Sequence, residues 1–141
     1  MQLVAYDRFA FKRFEDDVKE IGLVLEFLEH PQGGTKKGQP SEAMKKAAEA
    51  KKEKAEGLWM PGSLRLLEDA LLEGRIRLKK NPVLISAMMS AVIEEDKWGN
   101  HWLSKTRSIN KIDAAVALAM AFGAANAVPT SPRKLVLATA R

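Results

Sequence analysis

Leu3-Val4-Ala5-Tyr6-Asp7 and Leu23-Val24-Leu25-Glu26-Phe27-Leu28 are the two stretches on which the fold class turns. Each is a short apolar run without strict alternation, the pattern of a strand covered on both faces. Between them, Arg8 to Ile21 places Phe11, Phe14, Val18 and Ile21 at three- and four-residue spacing, which predicts an amphipathic helix stopped by Gly22. The second run turns at Pro31-Gln32-Gly33-Gly34. Strand, helix, strand over so short a span predicts a βαβ unit with a parallel strand pair. Asp7 then stands at the C-terminal end of a strand, where open α/β sheets place their chemistry. As a cap for the next helix it has a purely structural role, and position alone leaves the two readings level. A central strand so near the first residue implies further strands upstream.

Downstream, 35–57 changes character. Seven Lys and four Glu alternate with Ala, and no apolar stripe runs through them. Glu42 with Lys46, and Lys45 with Glu49, are spaced as helical ion pairs. The segment reads as a solvated helix or flexible excursion; a DNA-contacting arm is the alternative. Order resumes at Leu58-Trp59-Met60-Pro61-Gly62-Ser63, with Ser63 as the expected N-cap of a helix carrying Leu64, Leu67, Ala70 and Leu71. Gly74 closes it, and Arg75 to Lys79 alternates like a short strand with a basic face. Asn81-Pro82 predicts the next helix start, through Val83, Leu84, Ala87 and Met88. Ala91 to Asp96 and His101 to Lys105 flank Lys97-Trp98-Gly99-Asn100 as a β-hairpin.

Lys105, Arg107 and Lys111 lead from the hairpin to a helix over 114–125, where Ala114, Ala115, Val116, Leu118, Met120 and Phe122 leave no polar stripe. A helix without a wet face is expected to be buried. Asp113 stands at its first turn, favoured there by the helix dipole. Asn110 as N-cap with Asp113 three residues on matches a capping box, the structural alternative to a metal ligand. Two carboxylates, Asp7 and Asp113, are the candidate ligands for a hard divalent ion such as Mg2+. Paired ions roughly 4 Å apart hydrolyse phosphodiesters, and the basic residues before Asp113 suit a phosphate backbone.

The bulk figures agree with one ordinary domain: 141 residues, 46% hydrophobic, net charge +5 and pI near 9.5. The mild basic excess fits an anionic partner. No Cys is present, which excludes disulfides and thiolate metal sites, and His30 and His101 lack zinc spacing. With no signal peptide and no apolar run long enough to span a bilayer, no membrane association is expected.

Several motifs occur here in one order: Leu58-Trp59-Met60-Pro61-Gly62-Ser63-Leu64, Glu73-Gly74-Arg75-Ile76-Arg77, Asn81-Pro82-Val83-Leu84, Trp98-Gly99-Asn100, and Lys111-Ile112-Asp113-Ala114-Ala115-Val116-Ala117-Leu118-Ala119. With Tyr6-Asp7-Arg8 and Gln32-Gly33, the chain resembles the C-terminal part of the nuclease domain of tailed-phage terminase large subunits, over most of 3–125. Terminases of this kind join an ATPase that pumps DNA into the capsid to a nuclease that cuts the concatemer. The resemblance implies an α/β fold, a partial ribonuclease-H-like nuclease domain lacking the N-terminal strands. It spans 1–127, with 35–57 as an excursion and 128–141 as a basic tail. It implies two-metal endonucleolytic cleavage of double-stranded DNA with Mg2+ or Mn2+, Asp7 and Asp113 being catalytic metal ligands and Lys105, Arg107 and Lys111 the DNA contacts. The remaining terminase polypeptide, the small terminase subunit and the portal are the implied partners, in the host cytoplasm of a phage or prophage. Some relatives carry a further ligand three residues before the last acid, where this chain has Asn110, a poor ligand. The family's first acid, on an earlier strand, has no counterpart here, and no P-loop pattern occurs. The isolated chain is therefore expected to cut weakly or not at all, and to associate through an open sheet edge or need a partner chain. The alternative is a non-catalytic DNA-binding or assembly module, or an inactive remnant.

Overall fold

A computed structural model describes residues 2–8, 11–34 and 36–128; the tail beyond Val128 lies outside the described residues. The expected βαβ unit is present. Strand β1 (Gln2–Tyr6), helix α1 (Phe11–Glu20) and strand β2 (Leu25–Glu29) follow in order. The strands pair in parallel, Leu3 with Glu26, Ala5 with Leu28 and Tyr6 with Glu29. Side chains alternate between faces. Tyr6 and Phe27 meet α1, with Tyr6 stacked on Phe11 at 3.6 Å and Phe27 edge-on to it at 4.9 Å. Leu3, Ala5 and Leu28 face the other way, into the main core.

Helix α1 ends as the sequence predicts. Gly22 adopts φ +72°, its N–H reaches the Lys19 carbonyl and the next N–H reaches Val18. This double bond satisfies carbonyls that the helix end would leave orphaned. Because Leu23 is consumed by that cap, β2 starts later than expected, and Leu23 and Val24 are exposed.

The 35–57 excursion carries helix α2 (Glu42–Ala50), capped by the Ser41 hydroxyl. It is not solvated all round: Met44 is buried beside Leu28, Leu58 and Ala124. The ion pair on its surface is Glu42 with Lys45, one residue short of the expected Lys46, and Lys37 with Glu56 ties the two ends of the excursion.

Helix α3 (Met60–Leu72) begins before the expected cap. Pro61 in its first turn, with φ already helical, sets the start at Met60, so Ser63 lies inside the helix and is buried. Its end repeats the α1 device, with Gly74 at φ +67°. Arg75 to Lys79 forms no strand; Ile76 packs on the core, but no neighbouring strand supplies a ladder. Helix α4 (Pro82–Ser90) starts as predicted, the Asn81 side chain accepting from the Val83 and Leu84 N–H groups. The hairpin forms too, β3 (Val92–Glu95) antiparallel to β4 (His101–Ser104). Asp96 orders its turn by accepting from Trp98 and Asn100.

Helix α5 (Asp113–Ala127) joins both halves of the core. Ile112, Val116, Ala119 and Met120 pack with Met60 and Leu67 of α3, and Ala124 packs with Leu28, Met44 and Leu58. It is not buried on every side: Ala117, Ala121 and Ala125 form an exposed stripe. Among the described residues no helix is long and apolar enough to cross a membrane.

Candidate metal and nucleic-acid site

Helix α5 lies across β1. Leu3 packs against the cluster that holds Leu28 and Ala124, and Ala5 packs against both that cluster and the one holding Ile112 and Val116. Asp7 follows the end of β1, and Asp113 opens α5.

Asp7 is half-buried directly after β1. The preceding carbonyl, of Tyr6, accepts from the His30 N–H at 2.7 Å, which closes the β1–β2 ladder. Arg8 pairs with Glu29 across the strand ends, and Glu29 also accepts from the Gln39 N–H. Asp113 is the first residue of α5, with Ile112 rather than Asn110 in the cap position. Asn110 does not build the expected capping box, because its amide donates to Ser90 at 3.0 Å.

The Asp113 carboxylate lies 2.8 Å from Lys105 Nζ. The loop that presents Lys105 is stitched by hydroxyls: Ser104 bonds Glu94 and the Arg107 N–H, and Ser108 bonds the Ser104 carbonyl and the Val92 N–H. Arg107 is turned towards Glu94 at 3.7 Å. Lys105, Asn110, Lys111, Ile112 and Asp113 line one cavity of about 320 Å³, which Asp7 does not line. Lys105, Lys111 and Asp113 are therefore brought together, Arg107 is turned to Glu94, and Asp7 does not line their cavity. Among the described residues no group of three or more His, Asp or Glu side chains is placed to hold a metal. In donor chemistry the two aspartates suit a hard divalent ion, which takes one or two carboxylates and completes its shell with water and phosphate oxygens.

The hydrogen bond and charge of Lys105, with a smaller contribution from Lys111, pull the Asp113 pKa below the ordinary 3.8. The folded value being the lower one, this pair stabilises the fold above the unfolded pKa, and its contribution is lost as pH falls through the folded value. With the Asp113 side chain 67% exposed, that contribution is small. Lys105→Met should raise the Asp113 pKa back towards 3.8, read by carboxyl NMR titration; an unchanged pKa would contradict the ion pair.

One buried polar pair had no sequence signature of its own. His30 Nε2 and Ser63 Oγ are 2.7 Å apart and bury against Gly123 of α5. A lone glycine inside the pattern of the last helix was the one local hint of such a close approach.

Residues 58–128 match the family of the terminase large subunit, endonuclease domain. The chain belongs to this family. It is 31% identical over 123 residues to the terminase large subunit of Enterobacteria phage HK97, a match covering 87% of this chain and 20% of that protein. The crystal structure of the HK97 large terminase superposes with a TM-score of 0.65 at 30% identity, over 86% of this chain and 21% of the other. The chain thus spans about a fifth of the relative it matches. Its mixed helix and strand architecture is that of part of a terminase nuclease domain.

Proposed function

We propose that this chain is the C-terminal part of a ribonuclease-H-like terminase nuclease domain that cuts concatemeric double-stranded DNA by metal-assisted phosphodiester hydrolysis. The observation that supports this reading is Asp113, an anionic carboxylate opening α5 with Lys105 and Lys111 around it. Asp7 and Asp113 would hold the ions. Bound Mg2+ or Mn2+ would supply water activation and stabilisation of the leaving oxygen. Lys105, Arg107 and Lys111 would contact phosphates, Lys105 being available to the DNA backbone once Asp113 held a cation in its place. Partners in this reading are double-stranded DNA, the remaining terminase polypeptide, the small subunit and the portal, within the host cytoplasm. Strand β1 pairs only with β2 among the described residues, which favours a partner chain for its other edge.

The three basic residues give a direct test. Each phosphate contact contributes about 0.9 to the slope of log affinity against log salt. Replacing Lys105, Arg107 and Lys111 together by Ala should therefore lower the slope for duplex DNA by about 2 to 3, measured by fluorescence anisotropy across a salt series. An unchanged slope would remove these residues from the interface.

The Lys105–Asp113 ion pair favours a second reading, a non-catalytic DNA-binding or assembly module, since the ammonium occupies an oxygen that a metal would need. That reading predicts salt-sensitive DNA binding indifferent to Mg2+ and to Asp113→Ala.

A further inference from the structure

The positive charge of this chain is unevenly spread. Seven Lys against four Glu give 35–57 a net charge of +3, more than half of the +5 carried by all 141 residues. Residues 1–34, with four basic and seven acidic side chains, are net −3. A lysine-rich run is ordinarily a solvated face and no more. Three features set this one apart.

The excursion is planted on the core. Met44 buries one side of α2 against Leu28, Leu58 and Ala124. At the neck the Gly38 N–H donates to the Leu58 carbonyl at 2.7 Å, and Lys37 pairs with Glu56. The two segments pass so closely there that a side chain on Gly57 would strike the Gly38 carbonyl. Lysines standing on a fixed body lose less freedom on binding than lysines on a free arm.

Its lysines are largely uncommitted. Lys37 and Lys45 have acidic partners, whereas Lys46, Lys51, Lys52 and Lys54 are exposed and, among the described residues, form no ion pair. Glu49 and Glu53 stand among these four and reduce their field without cancelling it. No aromatic residue occurs from Gln39 to Glu56, so the surface offers charge and no platform for stacked bases.

The end of α2 keeps a lysine where the fold elsewhere uses glycine. Helices α1, α2 and α3 close by one device, in which Leu23, Glu53 and Arg75 donate their N–H groups back to the carbonyls of Val18, Ala48 and Ala70. The residue before each donor has left-handed backbone: Gly22 at φ +72°, Gly74 at φ +67°, but Lys52 at φ +56°. Glycine takes this conformation without steric cost, and a residue with a Cβ does not. Backbone strain held at an exposed turn of the basic segment points to a use for the side chain it carries. Lys51 and Lys54 line a cavity of about 680 Å³ together with Asn126 and Ala127, at the far end of α5 from Asp113. Roughly 20 Å of helix rise separates the two ends, so this surface is distinct from Lys105 and Lys111.

We propose that the excursion is a second phosphate-contacting surface for duplex DNA, with Lys46, Lys51, Lys52 and Lys54 as its contacts. This rests on the reading of the chain as part of a DNA-cutting terminase domain, and not on where metal ions bind.

The test is anisotropy of a fluorescent DNA duplex titrated with the full chain across a salt series without divalent ions, each variant checked for folding by circular dichroism. Replacing the four lysines together by Gln should lower the slope of log affinity against log salt by about 3 to 4, at about 0.9 for each contact. Replacing Lys12, Arg13 and Lys19 of α1, where acids outnumber bases, by Gln should change the slope by less than about 1. Lys52→Gly should lower the slope by about 0.9 while raising the thermal midpoint, because glycine relieves the left-handed backbone. An equal fall in the α1 variant would reduce the effect to net charge and overturn the assignment. An unchanged slope in the four-lysine variant would overturn this surface, and it alone where the Lys105, Arg107 and Lys111 variant still falls. No salt-dependent duplex binding by the wild type would overturn the DNA reading and this proposal with it. Displacement of the duplex by polyglutamate at equal charge would assign the surface to an acidic protein and overturn its assignment to DNA.

Discussion

Gly123→Ala is expected to destabilise the chain by about 3 kcal/mol, lowering its thermal midpoint by roughly 10 °C. The added Cβ would stand 1.8 Å from Ser63 Oγ and 2.7 Å from Ser63 Cβ, closer than any real contact, so Ser63 or α5 must move. Overfilling a packed core costs about 1–3 kcal/mol. Moving Ser63 also orphans the buried His30 acceptor, a further cost of about 1–3 kcal/mol. Against this stands a gain of roughly 1 kcal/mol, because Ala forms helix better than Gly. The double variant with Ser63→Ala should cost less than the sum of the single changes, since the hydroxyl is lost only once. Thermal melts followed by circular dichroism decide the matter; a Gly123→Ala midpoint within about 2 °C of wild type would contradict the packing described.

The same region shows what could be read from residues and what could not. The parallel pair of β1 and β2 was legible because both runs are apolar without alternation and a helical period separates them. The hairpin around Trp98-Gly99-Asn100 and the Asn81-Pro82 helix start were legible because their signals are local: a turn, a side chain capping its own helix, a ring that fixes φ. Ser63 misled because its hydroxyl satisfies His30, just beyond β2, rather than its own helix, a pairing no local window contains. Asn110 misled in the same way, its amide being spent on Ser90 of α4. Arg75 to Lys79 alternates properly, yet alternation forms a strand only where another strand offers hydrogen bonds. Ala117, Ala121 and Ala125 look apolar, but a methyl group gains little from burial, and the larger Val116 and Met120 choose which face of α5 turns inward. In the site, Lys105, Lys111 and Asp113 were legible as a group because they are near in sequence. Where Asp7 stands relative to them is set by the assembled core and not by any local window, and it does not line their cavity. The family resemblance, carried by motifs spread from Tyr6 to Ala119, is matched by the endonuclease-domain family over 58–128.

Asp113→Asn is the substitution expected to change activity most. It keeps the size of the side chain and the start of α5, removes the charge, and frees Lys105 from its partner. A liganding carboxylate contributes more than the outer partners that orient it, so cleavage should fall by more than about 100-fold. DNA affinity without divalent ions should hold or rise, because one negative charge leaves the basic surface and Lys105 becomes available to phosphate. Cleavage and binding moving in opposite directions is the signature of a ligand, and a change that merely unfolded α5 would lower both. A loss of binding equal to the loss of cleavage would assign Asp113 a structural role at the helix start instead.

The most direct measurement is nicking of supercoiled plasmid by the purified 141-residue chain in Mn2+, beside Asp7→Asn and Asp113→Asn. Slow, metal-dependent nicking that either substitution abolishes is expected. Nicking that survives both substitutions, or none even when the remaining terminase polypeptide is supplied, would contradict it.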